Sequence, residues 1–354
     1  MIKKDKQKIM KNKKIILIIL GALLVAGGIF AAFNMRSTTP EQQVREAERR
    51  VAELDSYGID VEMRLETYGD LEQEILFLGS GDYDRKNNLF RGDGSMDISM
   101  EGLALNLGGG VIYANDNLYG KLTTFPYLAL PLAGDQVDYL TENDILIVEN
   151  LREKADLLIQ SMSSEIGIEA MTVSDLLDYS EKLEDELWDR EVVYVTEVSD
   201  DSHEGEAAKK YVMKVDNEKM ADFYLDLIND FDLENLFSDL SEEEREAFLD
   251  QFEEELRKDD ETEFSVWIQD GYLVKVEMID EINFEEEVPV NEIDNLGGYP
   301  EKMVMEMIFE YRDFNEDFEI EEPEEFITLE DLMEEFQFFP NMNFEDIEGG
   351  FDIE

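Results

Sequence analysis

The chain has no cysteine and one histidine among its 354 residues, and its 30 basic side chains face 89 acidic ones. Each shortage excludes something. Without cysteine there are no disulfides, no thiolate metal sites and no cysteine on which lipoprotein acylation could occur. The sole histidine, His203, lies in "SDDSHEGE", a polar stretch between two strand-like segments that reads as a solvated loop. Nucleophile–base catalysis thus has almost no base to draw on. No G-x-S-x-G elbow, phosphate-binding loop or dinucleotide fingerprint occurs, so an enzyme is the least favoured reading and no catalytic residue, cofactor or metal ligand is assigned. The shortage of positive charge argues against nucleic acid and anionic membrane surfaces as partners.

One uncharged run stands out. Ile15–Phe33 is apolar or glycine throughout and follows a head, residues 1–14, with seven lysines and one aspartate. Its length suits a membrane span, which needs about 20 apolar residues. The lysines hold the N-terminus in the cytoplasm. Phe30 and Phe33 stand where a signal peptidase needs small residues, so a retained anchor is favoured over a cleaved signal. Residues 34–40 read as a polar stalk, 41–320 as one exported domain and 321–354 as an acidic-aromatic tail. The cell membrane, single pass, with an extracytoplasmic domain, is the expected location.

Outside the head, 23 basic residues face 88 acidic ones. Such self-repulsion fits a saline habitat, where the Debye length shrinks to about 3 Å at 1 M salt. Clustered carboxylates for divalent cations are the other reading. The spaced Ca²⁺-loop pattern is broken, because "DYDRKNN" sets Lys86 where a third ligand is required after Asp82 and Asp84.

Periodicity divides the domain. Val44, Ala47, Val51 and Leu54 recur at helical spacing. Ile59, Val61, Met63 and Leu65 alternate with charge, the mark of a half-buried strand. "EQEILFLG", "SMDISME", "LALNLGGGVIY" and "NLYGKL" continue in kind, with short turns that suggest a meander. Helices are expected from Thr141, with Ile145, Val148 and Leu151 on one face, and from Ser174 to Trp188. "REVVYVTEV" and "KKYVMKV" read as strands, "EKMADFYLDLI" and the segment after Ser241 as helices. In "ETEFSVWIQDGYLVKVEM" a three-residue Gln269–Gly271 loop would pair Val266 with Val274 and keep one face apolar. "KMVMEMIFEYRDF" supplies a last strand. In the tail, Thr328 and Asp331 could start another helix, and disorder is expected beyond Pro340.

Together, the leading amphipathic helix, the meander, the "TEFSVWIQDGYLVKVEM" hairpin and the closing "MIFEYRDFNEDFEIEEPEEF" resemble the bacterial lipoprotein-carrier (LolA-like) superfamily over about residues 41–325. The resemblance implies an α+β fold, a curved antiparallel half-barrel with helices packed on its concave face, here preceded by one transmembrane helix. It also implies an apolar ligand such as a lipid or acyl chain, and no particular site residue. Methionines adapt to irregular apolar guests, and pockets are mostly apolar. Val266, Val274, Met278, Met305, Met307 and Phe309 are therefore the candidate lining. The alternative is a surface interaction or structural protein whose core these side chains simply fill.

Overall fold

The computed structural model describes residues 39–69, 72–100, 103–124, 141, 143–165, 172–230, 257, 262–283, 300–328 and 331. The apolar run Ile15–Phe33, the helix expected after Ser241 and the chain beyond Pro340 lie outside them. No described helix is long and apolar enough to cross a membrane.

Helix α1 (Pro40–Ala52) opens the described chain. Thr39 caps it, accepting from the Gln42 backbone amide at 3.4 Å while the Gln42 side chain reaches back to Thr39. Proline fits the first helical position because its missing N–H would be unpaired there anyway. The helix therefore starts one residue ahead of the expected boundary, inside the stretch read as stalk. Val44, Ala47 and Val51 turn inward and are buried.

Five strands then form a meander: β1 (Ser56–Gly69), β2 (Gln73–Asp84), β3 (Leu89–Met100), β4 (Leu103–Ala114) and β5 (Asn117–Thr124). A sixth, β6 (Ile145–Val148), pairs with β5. The expected helix over 145–148 is thus corrected. A four-residue apolar run satisfies helical and extended spacing alike, and the free edge of β5 decides for the strand. Helix α2 (Leu151–Glu165) begins only afterwards. It starts where the Asp116 carbonyl accepts from the Leu151 amide at 2.7 Å and the Asp116 side chain from the Arg152 amide at 3.2 Å.

Helix α3 (Val173–Asp189) carries a second capping box, Thr172 with Asp175. A second meander follows: β7 (Val193–His203), β8 (Glu206–Val215), then after helix α4 (Asn217–Asp230) the strands β9 (Glu263–Gln269), β10 (Tyr272–Asn283) and β11 (Pro300–Arg312). The two meanders are zipped together through the first strand of one and the last strand of the other. β1 and β11 pair antiparallel from Gly58 opposite Arg312 to Tyr68 opposite Lys302. With a last short strand, β12 (Ile327–Thr328), the result is one open twelve-stranded sheet in the order β12-β6-β5-β4-β3-β2-β1-β11-β10-β9-β8-β7. Only β12 runs parallel to its neighbour, β6.

The β9–β10 hairpin departs from the expected register. Asp270 and Gly271 both take positive φ, 52° and 85°, so two residues make the turn, with the twist that hairpins favour. A register shift between Leu273 and Lys275 then brings Val276, not Val274, opposite Val266. The bulge solves the problem that the longer loop was invoked to solve. It keeps Leu273 and Val276 on the same side as Val266 and sends Val274 to the other. Of the stretch read as tail, residues 321–328 and 331 are among those described. The chain from Asp313 lies along the turn end of the sheet as far as β12, with Ile320 buried and the Asn315 amide bonded to the Ser56 carbonyl at 2.9 Å.

Candidate functional site

Strand alternation gives the sheet two unlike faces. On one, side chains from eight strands line up in rows set by the pairing registers. One row runs Met213, Phe264, Met278, Met307, Met63, Phe77, Met96 and Leu107; the next continues Met305, Leu65, Ile75, Ile98 and Leu105. Helix α1 lies on this face over β7–β11 and the first residues of β1. There Val44, Ala47, Val51 and Leu54 pack with Tyr57, Tyr211, Met213, Val266, Leu273 and Tyr311 into the main core. Trp188, at the end of α3, packs against the same cluster.

Outside α1's footprint the apolar rows are only partly covered. Met63 is 37% exposed, Met100 37% and Leu103 40%. Within this partly covered half, on β2–β4, runs a band of glycines. Gly79, Gly94 and Gly109 are register neighbours, and Gly81 and Gly92 sit one row over. Rings of Phe77 and Phe90 lie across this bare backbone. A Cβ built on Gly81 or Gly92 would stand 2.8 or 2.9 Å from the Phe90 ring. Glycine in a strand interior commonly marks such close approach.

Five of the six candidate lining residues share this face. Met278, Met305, Met307 and Phe309 are neighbours in the rows, and Met307 is paired with both Met278 and Met63. Val266 lies on the same face but beneath α1, 1% exposed, in the core. Val274 is the exception. The bulge turns it to the opposite face, where it packs with Ala208 and Trp267. The sequence reading missed Met63, Phe77, Met96 and Leu107, which continue the row. Their alternation was visible, but their alignment with the methionines depends on the β1–β11 pairing.

The opposite face is charged. Arg312 bonds to Asp60 at 2.9 Å, to Ser80 at 2.8 Å and to Asp82 at 3.3 Å, while Arg91 reaches Asp82 at 2.6 Å. The carboxylates of the imagined Ca²⁺ loop are therefore spent. Asp82 is held by two arginines, and Asp84 accepts from the Asn87 backbone at 3.0 Å and side chain at 2.7 Å. Trp267 lies between the Lys210 and Lys275 ammonium groups, 4.7 and 4.9 Å from its ring centre, and donates its indole N–H to Asp201 at 2.9 Å. That bond, then one from the Ser202 amide, holds the Asp201 carboxyl below the usual range. His203 is not a solvated loop residue. It ends β7 with its side chain 11% exposed, 3.9 Å from Glu310. Among the described residues no histidine and carboxylate cluster could hold a metal ion.

Two further features complete the geometry. Glu48 sits on the inner side of α1, and its Oε2 is sealed from solvent with no hydrogen-bond partner. Burial pushes its carboxyl up to about 8, against the opposing pull of Arg45. At the turn end, Glu322 accepts from Asn115 at 2.5 Å and from Tyr119, and Phe326 lies over the Tyr119 ring with centroids 5.4 Å apart. The Tyr119 and Asn115 bonds lower the Glu322 pKa. A groove of about 700 Å³ between α1 and the β7–β8 and β9–β10 turns is lined by Ala47, Ala208, Tyr211 and Ile268 and bordered by Glu46, Arg50, Asp200, Lys209 and Asp270.

No protein-family model matches the chain, and no curated protein sequence matches it. Among solved structures the chain is similar to a LolA superfamily protein from Nitrosomonas europaea, at 9% identity over 80% of this chain and 96% of that one, with a TM-score of 0.17. At that TM-score the likeness carries no argument about ligand or mechanism.

Proposed function

We propose that the domain is a non-enzymatic binding module for an apolar ligand, a lipid or acyl chain, held outside the cell membrane by an Ile15–Phe33 anchor with its N-terminus in the cytoplasm. One observation carries the reading. The apolar face continues well past the helix that covers it, through rows of methionine, leucine and isoleucine that stay partly exposed. A contiguous apolar surface of this kind ordinarily marks a binding site. Methionine, with three rotatable bonds and a polarizable sulfur, suits a guest of variable shape. Met278, Met305, Met307 and Phe309 would line the site, whereas Val266 lies in the core beneath α1 and Val274 faces the other side. The glycine band supports curvature, because glycine kinks are where sheets bend, and bending would turn the exposed rows into a trough.

The burial of Met307, 9% exposed, favours the second reading, a filled core whose partners meet the charged face. Native mass spectrometry of the full chain purified from its own membranes separates the two. A co-purifying lipid is the expected result; a ligand-free protein would leave the interaction reading.

A further inference from the structure

The two edges of the sheet are treated differently. The β6 edge carries β12, whose Ile327 amide donates to the Asp144 carbonyl at 2.9 Å. The other edge is β7, and among the described residues no strand pairs with its outer side. Its first half is covered in another way. Val193 and Val195 pack with Trp188 against the main core, and the Val195 amide donates to the Glu41 carboxylate of α1 at 3.4 Å. Past the register shift between Val195 and Glu197, the stretch Thr196–Ser202 is exposed at every position but Ser199.

The orientation of that stretch follows from its turn. Glu204 and Gly205, both at positive φ, join His203 to Glu206, and the pair that closes such a two-residue turn exchanges its backbone hydrogen bonds. Alternation along the ladder then aims the N–H and C=O groups of Val198, Asp200 and Ser202 away from β8. The side chains of Val198 and Asp200 stand on the α1 face. Val198 heads the row Val198, Tyr211, Val266, and it is 43% exposed where the other two are 1%. Asp200 heads the row Asp200, Lys209, Ile268, which enters the groove beside α1. On the walls of that groove Arg50 is held by Glu46 at 2.6 Å, which sets Asp200, Asp201 and Asp270 against Lys209.

We propose that Thr196–Ser202 is a docking edge for an extended basic segment of another protein, which joins the sheet as a further strand. The backbone groups of Val198, Asp200 and Ser202 hold it. An apolar residue covers Val198, and a lysine or arginine two positions away meets Asp200 from one strand spacing, about 4.8 Å. Further basic residues on its other face meet Glu197 and Asp201. A second copy of this chain fits poorly, because it brings the same three carboxylates and like charges facing across a ladder are destabilising. Acidic side chains on an edge discourage unselective pairing; here they also select. β7 lies at the other end of the sheet from β1–β4, so the site stands whether or not a lipid occupies the methionine rows.

The probe is the capped, fluorescently labelled peptide Lys-Lys-Thr-Val-Lys-Thr. Run antiparallel to β7, it sets its lysines against Asp201, Asp200 and Glu197 and its valine against Val198. Anisotropy is titrated with the full chain in detergent at molar NaCl, where long-range attraction to the acidic surface is screened. Methylating the valine amide keeps every side chain and charge but removes the N–H that faces β7, and should weaken binding about tenfold or more. Methylating the preceding threonine amide, which points away from β7, should change binding little. Val198→Pro, at an edge position where proline breaks no ladder bond, should weaken binding as the first methylation does. Equal binding of the three peptides, full binding by the Val198→Pro chain, or no binding at all would overturn the proposal. A chain that self-associates, and that Val198→Pro renders monomeric, would assign the edge to a second copy and overturn it as well.

Discussion

The apolar face of the sheet is built by one rule and used in two ways. Over β7–β11 it is closed by α1, and Tyr211, Met213 and Val266 are each 1% exposed. Over β1–β4 the same alternation produces Met63, Phe77, Met96 and Leu107 in register with them, yet Met63 remains 37% exposed. Methionines stand in both halves; the closed half adds Tyr211, Val266 and Leu273 beneath α1, and the other half the neighbouring glycines Gly79, Gly94 and Gly109. An alternating pattern therefore specifies that a face is apolar, not that it becomes core. What decides is whether a helix with a matching stripe lies on it.

The largest expected contrast tests this division directly. Tyr211 is nearly solvent-free, and its hydroxyl donates to Gln43 on α1 at 2.6 Å. Tyr211→Ala should cost about 3–5 kcal/mol, as truncation of a buried aromatic does. Met96→Ala, on the partly covered half, should cost about 1 kcal/mol or less while weakening lipid retention. Urea melts of the two variants at molar salt provide the comparison. Equal losses would mean that the face is one continuous core, and the distinction would be abandoned.

The second effect lies inside the closed half. Glu48 faces the core with a carboxyl raised to about 8 by burial, and it neighbours Tyr311, whose own pKa is raised by burial first, then by Tyr57 and Glu48. The sign follows from linkage. Below pH 4.5 the acid is protonated in both folded and unfolded states and has no effect. As pH climbs from 4.5 towards 8, the unfolded chain releases the proton and the folded one keeps it, so stability falls. Above 8 the loss levels off. At about 1.4 kcal/mol per tenfold change in proton affinity, the cost at pH 7 is on the order of 3 kcal/mol. Glu48→Gln should flatten the decline in chemical stability between pH 5 and 8. An unchanged slope would show that Glu48 is hydrated in the folded protein.

Much of this fold was legible from spacing alone. Val44, Ala47 and Val51 define α1, and alternation defines β1 to β5, because both patterns are local and are enforced by a single buried face. The Ile145–Val148 strand was not legible, since four apolar residues obey either period until a neighbouring edge chooses. The β9–β10 bulge was hidden for a related reason. Two devices, a longer loop or an extra residue, solve the same polarity conflict, and only backbone twist prefers the second; that one residue is why Val274 faces the wrong way for a lining role while Met278 does not. The glycine band and the Glu322 latch were beyond reach altogether. Gly79, Gly94 and Gly109 become neighbours only through register, and Tyr119 lies 203 positions from its partner Glu322.

The smallest expected effect concerns that band, which lies within the partly covered half on β2–β4. A Cβ on Gly109 would stand 2.7 Å from the Lys121 carbonyl oxygen. This neighbour is backbone, held in the β4–β5 ladder beside a register shift at Gly108 and Gly109, so it cannot step aside as a side chain would. Gly120 also faces a close neighbour, but there it is the tip of Ile147, a flexible side chain 42% exposed. Gly109→Ala should therefore lower stability by about 2 kcal/mol, in the range of overpacking, and Gly120→Ala by less than about 1 kcal/mol. If the band also sets the bend of the sheet, Gly109→Ala should reduce lipid retention beyond its loss of stability, whereas Gly120→Ala should leave retention unchanged. Thermal melts paired with lipid extraction of each variant read both quantities. Parallel losses in the two variants would reduce the band to a packing detail, and the exposed half would owe its shape to the rest of the sheet.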